Sequence, residues 1–293
     1  LSSKPHRSGF VAILGKPNAG KSTLLNALLG QKLSIITPKA QTTRHRILGF
    51  DNGEDYQIVY SDTPGLIRPK YRLQEKMMDS VGKSLEGADL VVLLVAADET
   101  FPEEDLLQLA AQTRIPKILA LNKVDIVSPE KVEKRIKSVS EKVDFVETIA
   151  LSALNSFNVK ELRELILLHL PEGPPYYDKE SLSDRPERFF VSEIVREKIF
   201  EFMEEEIPYS CEVDVIKFDE DDRLIRIMAD IHVERRTQKG MIIGKGGSML
   251  KKIGTAARHD LETFLDKKVF LELYVRVTEG WKDKDTRLKG FGY

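Results

Sequence analysis

The chain has 293 residues, 45 basic and 47 acidic, for a formal charge of −2. That length suits about two domains, each able to bury a core, and the near balance of charge excludes a bulk field for nucleic acid, so any such surface is a local patch. The single cysteine, Cys211, excludes an internal disulfide framework and fits a reducing compartment, and the five histidines form no Cys/His cluster with metal-ligand spacing.

The leader Leu1-Ser2-Ser3-Lys4-Pro5-His6-Arg7 is not followed by the apolar region of a signal peptide. Phe10-Val11-Ala12-Ile13-Leu14 reads as a buried strand. Next comes Gly15-Lys16-Pro17-Asn18-Ala19-Gly20-Lys21-Ser22, a G-x-x-x-x-G-K-S phosphate loop, and then a helical pattern over residues 22–29 that stops at Gly30. In this setting the loop N–H groups wrap phosphates and the helix points its positive end at them. Lys21 is expected on the β- and γ-phosphates, and Ser22 on Mg²⁺.

Residues 37–45 are polar and aperiodic, as a segment that closes over a nucleotide requires. One threonine there is expected on the metal, with Thr43 favoured and Thr42 the alternative. After an expected strand at 57–61, Asp62-Thr63-Pro64-Gly65 has the D-x-x-G form. Asp62 is expected to hold Mg²⁺ through water, and the Gly65 N–H to sense the γ-phosphate. Where Ras-like proteins place a glutamine after this motif, the chain has Leu66, which cannot orient a water. Catalysis then has to draw on other groups. Asn18 offers an amide oxygen for a monovalent cation such as K⁺, or simply stabilises its loop; both readings stay open. The basic stretch 66–72 reads as a second mobile segment, either a partner contact or a solvated loop.

The aliphatic run at 90–97 is too short to span a bilayer and reads as a central parallel strand. Another buried strand, 118–121, leads into Asn122-Lys123-Val124-Asp125. This N-K-x-D pattern suits guanine, whose N1–H and 2-amino group both donate to a carboxylate. Asn122 can bridge base site and phosphate loop, with the Lys123 stem along the ring. Ser152-Ala153 follows a strand expected at 148–151 and fits a short guanine-contacting turn. Each motif alone also suits an ordinary turn; their order and spacing together define a GTP-binding domain. Strands alternate with helical stretches to about Leu170, as a doubly wound α/β sheet requires. Pro171-Glu172-Gly173-Pro174-Pro175 ends the last helix, and 176–186 reads as a linker.

The remainder reads as helix (189–206), two strands forming a hairpin (212–218 and 224–233), helix, Gly244-Lys245-Gly246-Gly247, helix (249–265) and strand (269–277). A G-x-x-G between two helices in this order is the KH signature, in which glycine lets the backbone approach a single-stranded nucleic acid. Arg235, Arg236, Lys239, Lys245, Lys251, Lys252 and Arg258 supply local charge, and Ile242, Ile243 and Ile253 with strand residues are expected to line an apolar groove. The tail holds Trp281, either packed back on the domain or free to stack on bases.

Gly15 to Ser22 together with Gln41-Thr42-Thr43-Arg44 and Asp62-Thr63-Pro64-Gly65-Leu66 resembles the translation-factor-related GTPases that have an aliphatic residue in place of the catalytic glutamine. With a type II KH arrangement behind it, the chain is most similar to the Era-like GTPases, and the resemblance covers nearly its whole length. It implies a GTPase domain at 8–172, a linker at 173–187 and a KH domain with tail at 188–293. It further implies slow hydrolysis of GTP to GDP and phosphate, with Asn18, Lys21, Thr43 and Gly65 as the catalytic set. Ser22, Thr43 and Asp62 would hold the Mg²⁺. Residues 15–22, 62–66, 122–125, Ser152 and Ala153 would hold GTP or GDP. RNA would meet Arg235, Lys239, Ile242, Ile243, Gly244, Lys245, Gly246, Gly247 and Lys251. The implied partners are the 3′ end of 16S ribosomal RNA and the small (30S) subunit during its assembly. The implied state is a monomer in the cytoplasm, with peripheral association at the inner face of the cell membrane. A GTPase acting on a protein or membrane, with the second domain as a protein-binding module, stays open beside this. An ATP-dependent kinase is disfavoured by Asn122-Lys123-Val124-Asp125.

Overall fold

The structure, a computed structural model, describes residues 5–99 and 104–293, so the opening of the leader, residues 1–4, lies outside the described residues. The chain divides into two compact units: residues 1–34, 43–69 and 77–184 in the first, and 35–42, 70–76 and 185–293 in the second.

The first unit is a six-stranded sheet in the order β2-β3-β1-β4-β5-β6. Its strands are β1 (Arg7–Leu14), β2 (Ile47–Asn52), β3 (Tyr56–Asp62), β4 (Leu90–Ala96), β5 (Lys117–Asn122) and β6 (Glu147–Ala150). All pairings are parallel except β2 with β3. Helices α1 (Lys21–Leu29), α2 (Arg72–Glu86), α3 (Glu104–Gln112) and α4 (Pro129–Ser140) lie between successive strands, and α5 (Val159–His169) follows β6. All seven residues of β4 are buried, which is why its sequence is a continuous aliphatic run rather than an alternation. Parallel strands bring the carboxyl ends of β1, β3, β5 and β6 to one edge, where ligands bind in open α/β sheets. Helix α1 stops where Gly30 takes the left-handed conformation at φ 66°, a common helix terminator.

Strand β2 was not among the expected elements. It forms an antiparallel hairpin with β3, closed by a turn in which Gly53 N–H donates to Tyr56 O at 3.0 Å. The expected linker also behaves differently: residues 173–184 belong to the first unit. The Gln57 amide oxygen accepts from the N–H groups of Tyr176 and Tyr177 at 2.7 and 2.9 Å. The Tyr177 ring stacks on Phe50 at 4.2 Å, and Phe50 N–H donates to Leu182 O at 3.0 Å. Two aromatic rings and a satisfied buried amide turn this stretch into a strap on β2 and β3.

The second unit has the sheet order β7-β8-β9, with β7 (Glu212–Glu220) antiparallel and β9 (Lys268–Val277) parallel to β8 (Leu224–Val233). Helices α6 (Glu187–Phe202), α7 (Arg236–Ile243) and α8 (Ser248–Phe264) precede β7 and bridge β8 to β9. Alternate strand residues Val213, Ala229, Ile231, Val233 and Val275 share one core with Val195, Ile199, Ile242, Ile253 and Ala257 of the helices. Helix α6 ends at Phe202, before the Glu204-Glu205-Glu206 run, because Met203 is extended at φ −109°. Three carboxylates would face the negative end of the helix dipole if it continued. Instead the ammonium of Lys39, from 35–42, donates to Phe200 O at 2.7 Å and to Met203 O. The tail packs back on the unit. Trp281 is fully buried, its Nε1–H donates to Ser210 O at 3.1 Å, and Phe291 meets its ring edge-on. A short helix α9 (Asp285–Gly290) follows.

Candidate nucleotide site and nucleic-acid groove

The phosphate loop occupies the turn from β1 to α1. Asn18 sits in a left-handed conformation (φ 63°) and is exposed. Lys21 is buried, with its Nζ donating to Gly15 O at 3.1 Å and Lys16 O at 2.8 Å. Burial lowers its pKa to about 8, against the opposing pull of the Asp62 and Glu99 carboxylates. An anionic ligand would restore full charge to this ammonium, since an opposite charge nearby favours the protonated form.

Three oxygen donors converge beside it. Ser22 Oγ donates to Asp62 Oδ2 at 2.8 Å and lies 2.9 Å from Thr43 Oγ1. Asp62 is fully buried, and its Oδ1 makes no hydrogen bond at ordinary length, although Ser34 approaches closely enough to favour the charged form. Burial pushes this carboxyl above the usual carboxylate range, with Lys21 and Ser22 pulling it partly back. A serine, a threonine and a buried carboxylate with an open lone pair are the hard donors that Mg²⁺ takes. The geometry separates the two threonines: Thr42 is engaged with Thr37 Oγ1 at 2.7 Å and Lys39 O at 2.8 Å, while Thr43 is at Ser22.

Thr63 Oγ1 donates to Ile13 O at 3.1 Å, and Leu66 N–H donates to Gly15 O at 3.2 Å, so the D-x-x-G turn is tied directly to β1 and the phosphate loop. Gly65 has to be glycine here, because a Cβ would lie 2.5 Å from Pro17 N and 2.7 Å from its Cα. Pro64 is buried beside it. Leu66 packs partly buried against the sheet core, an aliphatic surface rather than a water-orienting one.

The base site is built from β5 and β6. Asn122 is buried; its Nδ2 donates to Ala19 O at 2.8 Å and its Oδ1 accepts from Ala153 N–H at 2.9 Å. One amide thus joins the phosphate loop, the N-K-x-D turn and the Ser152-Ala153 turn. Val124 N–H donates to Leu151 O at 3.3 Å, and Asp125 is exposed in the short helical turn Val124–Ile126. The expected nucleotide residues are therefore brought together. Asn26, which sequence reasoning missed, anchors the start of the closing segment: its Oδ1 accepts from Leu33 and Ser34 N–H at 2.9 Å, and its Nδ2 donates to Ser34 O at 2.7 Å. A lone polar residue within the apolar run Leu24-Leu25-Asn26-Ala27-Leu28-Leu29 was the available signal.

In the second unit the G-x-x-G turn joins α7 to α8, with Gly244, Gly246 and Gly247 all at positive φ. A groove of about 380 Å³ opens beside it, lined by Gly247, Leu250, Lys251, Gly254, Thr255, Arg258, Leu271 and Leu273. Lys245 and Gly246 are exposed at its rim. Ile242 and Ile253 are a correction to the sequence reading: both are fully buried in the core and cannot line a groove. Ile243 is partly buried against the same core. Arg235 lies at a separate concavity with Glu234, Arg236, Glu279 and Gly280, and Lys239 is half-buried on α7 away from the groove lining. Among the described residues no group of three or more His, Cys, Asp or Glu could hold a metal ion, and no helix is long and apolar enough to cross a membrane.

Residues 10–123 match the model of a family described as a 50S ribosome-binding GTPase, and residues 206–282 match that of the KH domain. Fold and site together define a P-loop GTPase with an RNA-binding type of module behind it. GTPase Era from Geotalea daltonii is 47% identical across 100% of both chains, and GTPase Era from Caldanaerobacter subterraneus is 45% identical across 98% of both. The chain belongs to the Era family of GTPases. A crystal structure of Era in complex with MgGDPNP and nucleotides 1506–1542 of 16S ribosomal RNA matches with a TM-score of 0.94 at 39% identity, covering 98% of this chain and 99% of that one. A single-residue variant of Aquifex aeolicus Era bound to GDP·AlF4⁻ matches with a TM-score of 0.93 at 39% identity and the same coverage.

Proposed function

We propose that this chain is a GTP-controlled RNA-binding factor that takes the single-stranded 3′ end of 16S ribosomal RNA and acts in assembly of the small (30S) subunit. The observation that carries the reading is the groove at the G-x-x-G turn, with Lys251 and Arg258 among its lining residues, in a chain whose Asn122 amide also ties the N-K-x-D turn to the phosphate loop. A relative matching almost the whole chain has been crystallised with that RNA.

On the nucleotide side, Lys21 and the loop N–H groups of 15–22 other than Pro17 hold the phosphates, and Asp125 reads the guanine edge. Ser22, Thr43 and Asp62 would hold Mg²⁺, which offsets phosphate charge when bound. With Leu66 in the glutamine's position, intrinsic turnover is slow. The Asn18 amide oxygen would be the donor to a monovalent cation such as K⁺, which would supply positive charge to the phosphates.

Thr43 directly follows residues 35–42, which belong to the same compact unit as α6. Were a GTP-bound metal to order Thr43, the adjoining residues 35–42 would carry that change into the unit that holds the groove. The protein acts as a monomer in the cytoplasm, with peripheral contact at the inner face of the membrane. Fluorescence anisotropy with the 16S 3′-end RNA and a scrambled RNA of equal length tests the target. The expected result is at least about tenfold tighter binding of the authentic sequence, the worth of one well-read base. Equal affinity for both would contradict sequence-directed binding.

A further inference from the structure

Strands β4 and β5 are adjacent and in register, with Ala96 opposite Asn122 and the Ala97 N–H donating to Asn122 O at 2.8 Å. That register brings Asp98, just past the end of β4, beside Lys123, just past the end of β5. The Lys123 Nζ lies 3.3 Å from Asp98 Oδ2. Lys123 has a left-handed backbone (φ 63°), a conformation unfavourable for a side-chain-bearing residue by about 1–2 kcal/mol. Such a backbone aims the side chain in one direction, and the Asp98 carboxylate fixes its far end. Asp98 Oδ1 is buried and makes no hydrogen bond among the described residues, so the carboxylate is not accounted for by local turn capping. Both side chains are partly exposed, at 31% and 37%, which leaves the pair adjustable rather than locked in a core.

We propose that Asp98 is a positioning residue of the guanine site, holding the Lys123 ammonium so that the aliphatic stem stays flat against the base. The inference rests on the guanine-site reading above. Its effect is on nucleotide residence: without Asp98 the lysine samples other rotamers, and release of the base no longer waits on it.

The test is the release rate of a fluorescent N-methylanthraniloyl GDP from the full chain carrying Asp98→Ala, Lys123→Ala, both together, and Asp98→Glu. The expected result is about three- to fivefold faster release for Asp98→Ala, the scale of a partly exposed ion pair. Lys123→Ala gives a larger acceleration, the double variant releases no faster than Lys123→Ala alone, and Asp98→Glu recovers part of the loss. Non-additivity of this kind is what a residue acting through its neighbour produces. A general structural role would add to the lysine's effect and would not be relieved by glutamate. Unchanged release in Asp98→Ala, or additive effects in the double variant, with Lys123→Ala still accelerated, overturns this inference alone. Unchanged release in Lys123→Ala overturns the guanine-site reading and the inference with it.

Discussion

Asp125→Asn lowers GDP affinity by about a thousandfold or more and transfers the preference to xanthosine diphosphate, on the scale by which hydrogen-bonding sites reject a mismatched partner. The carboxylate presents two acceptors, which match the N1–H and 2-amino donors of guanine. An asparagine keeps one acceptor and replaces the other with a donor that meets the 2-amino group head-on. Each unmet buried donor costs about 1–3 kcal/mol, and more where the lost partner was charged. Xanthine has a carbonyl where guanine has the amino group, so it restores the match. Asp125 is exposed in its short helical turn, and exposed substitutions of this kind change stability by about 0.5 kcal/mol or less. The loss of affinity therefore reports on the base contact, not on folding. Competition of GDP, xanthosine diphosphate and ADP against a fluorescent GDP measures it. A variant that keeps its preference for GDP would show that Asp125 does not read the base.

The second large effect is at the groove. Gly246→Asp weakens 16S 3′-end RNA binding by about a hundredfold, because a carboxylate about 5 Å from a phosphate at an effective dielectric near 20 costs about 3 kcal/mol. Gly246 stands at φ 58°, and a Cβ there meets nothing within 4 Å. Aspartate tolerates that conformation better than most residues, so the turn keeps its shape and the change is one of charge. Gly246→Ala is the control, placing a Cβ with at least as large a backbone demand but no anion, and it loses far less affinity. GDP binding by both variants, measured by calorimetry, verifies that the rest of the chain is intact. Equal losses for alanine and aspartate would place the effect in the backbone rather than in phosphate repulsion.

The nucleotide site was legible because its chemistry is local. Gly15 to Ser22, Asp62 to Gly65 and Asn122 to Asp125 are contiguous runs at strand ends, and the parallel sheet needed only to bring those ends to one edge. The choice between Thr42 and Thr43 was not legible, since adjacent hydroxyls look alike until the backbone directs one to Ser22 and the other to Thr37. The groove failed for a related reason. Ile242, Ile243 and Ile253 stand near the G-x-x-G turn in sequence, whereas helical phase decides which side is buried. Gln238 and Ile242 lie one turn apart on the buried side of α7. The apolar lining comes instead from Leu250 and from Leu271 and Leu273 on β9, residues distant in sequence. The polar residues of 176–186, after the prolines at 171–175, point to a linker, but Tyr176, Tyr177 and the Gln57 amide hold the stretch down. Asp98 carries no motif at all, and only the register of β4 with β5 makes it a partner of Lys123.

On the proposed reading, nucleotide state controls the affinity of the RNA groove. That control is tested most directly by fluorescence anisotropy of the 16S 3′-end RNA with the full chain saturated in turn by a non-hydrolysable GTP analogue and by GDP, in Mg²⁺. Tighter RNA binding with the analogue by about tenfold, equivalent to about 1.4 kcal/mol of coupling between the sites, is the predicted result. Equal affinity in the two states would leave a GTPase and an RNA groove in one chain with no coupling between them, and would contradict the account.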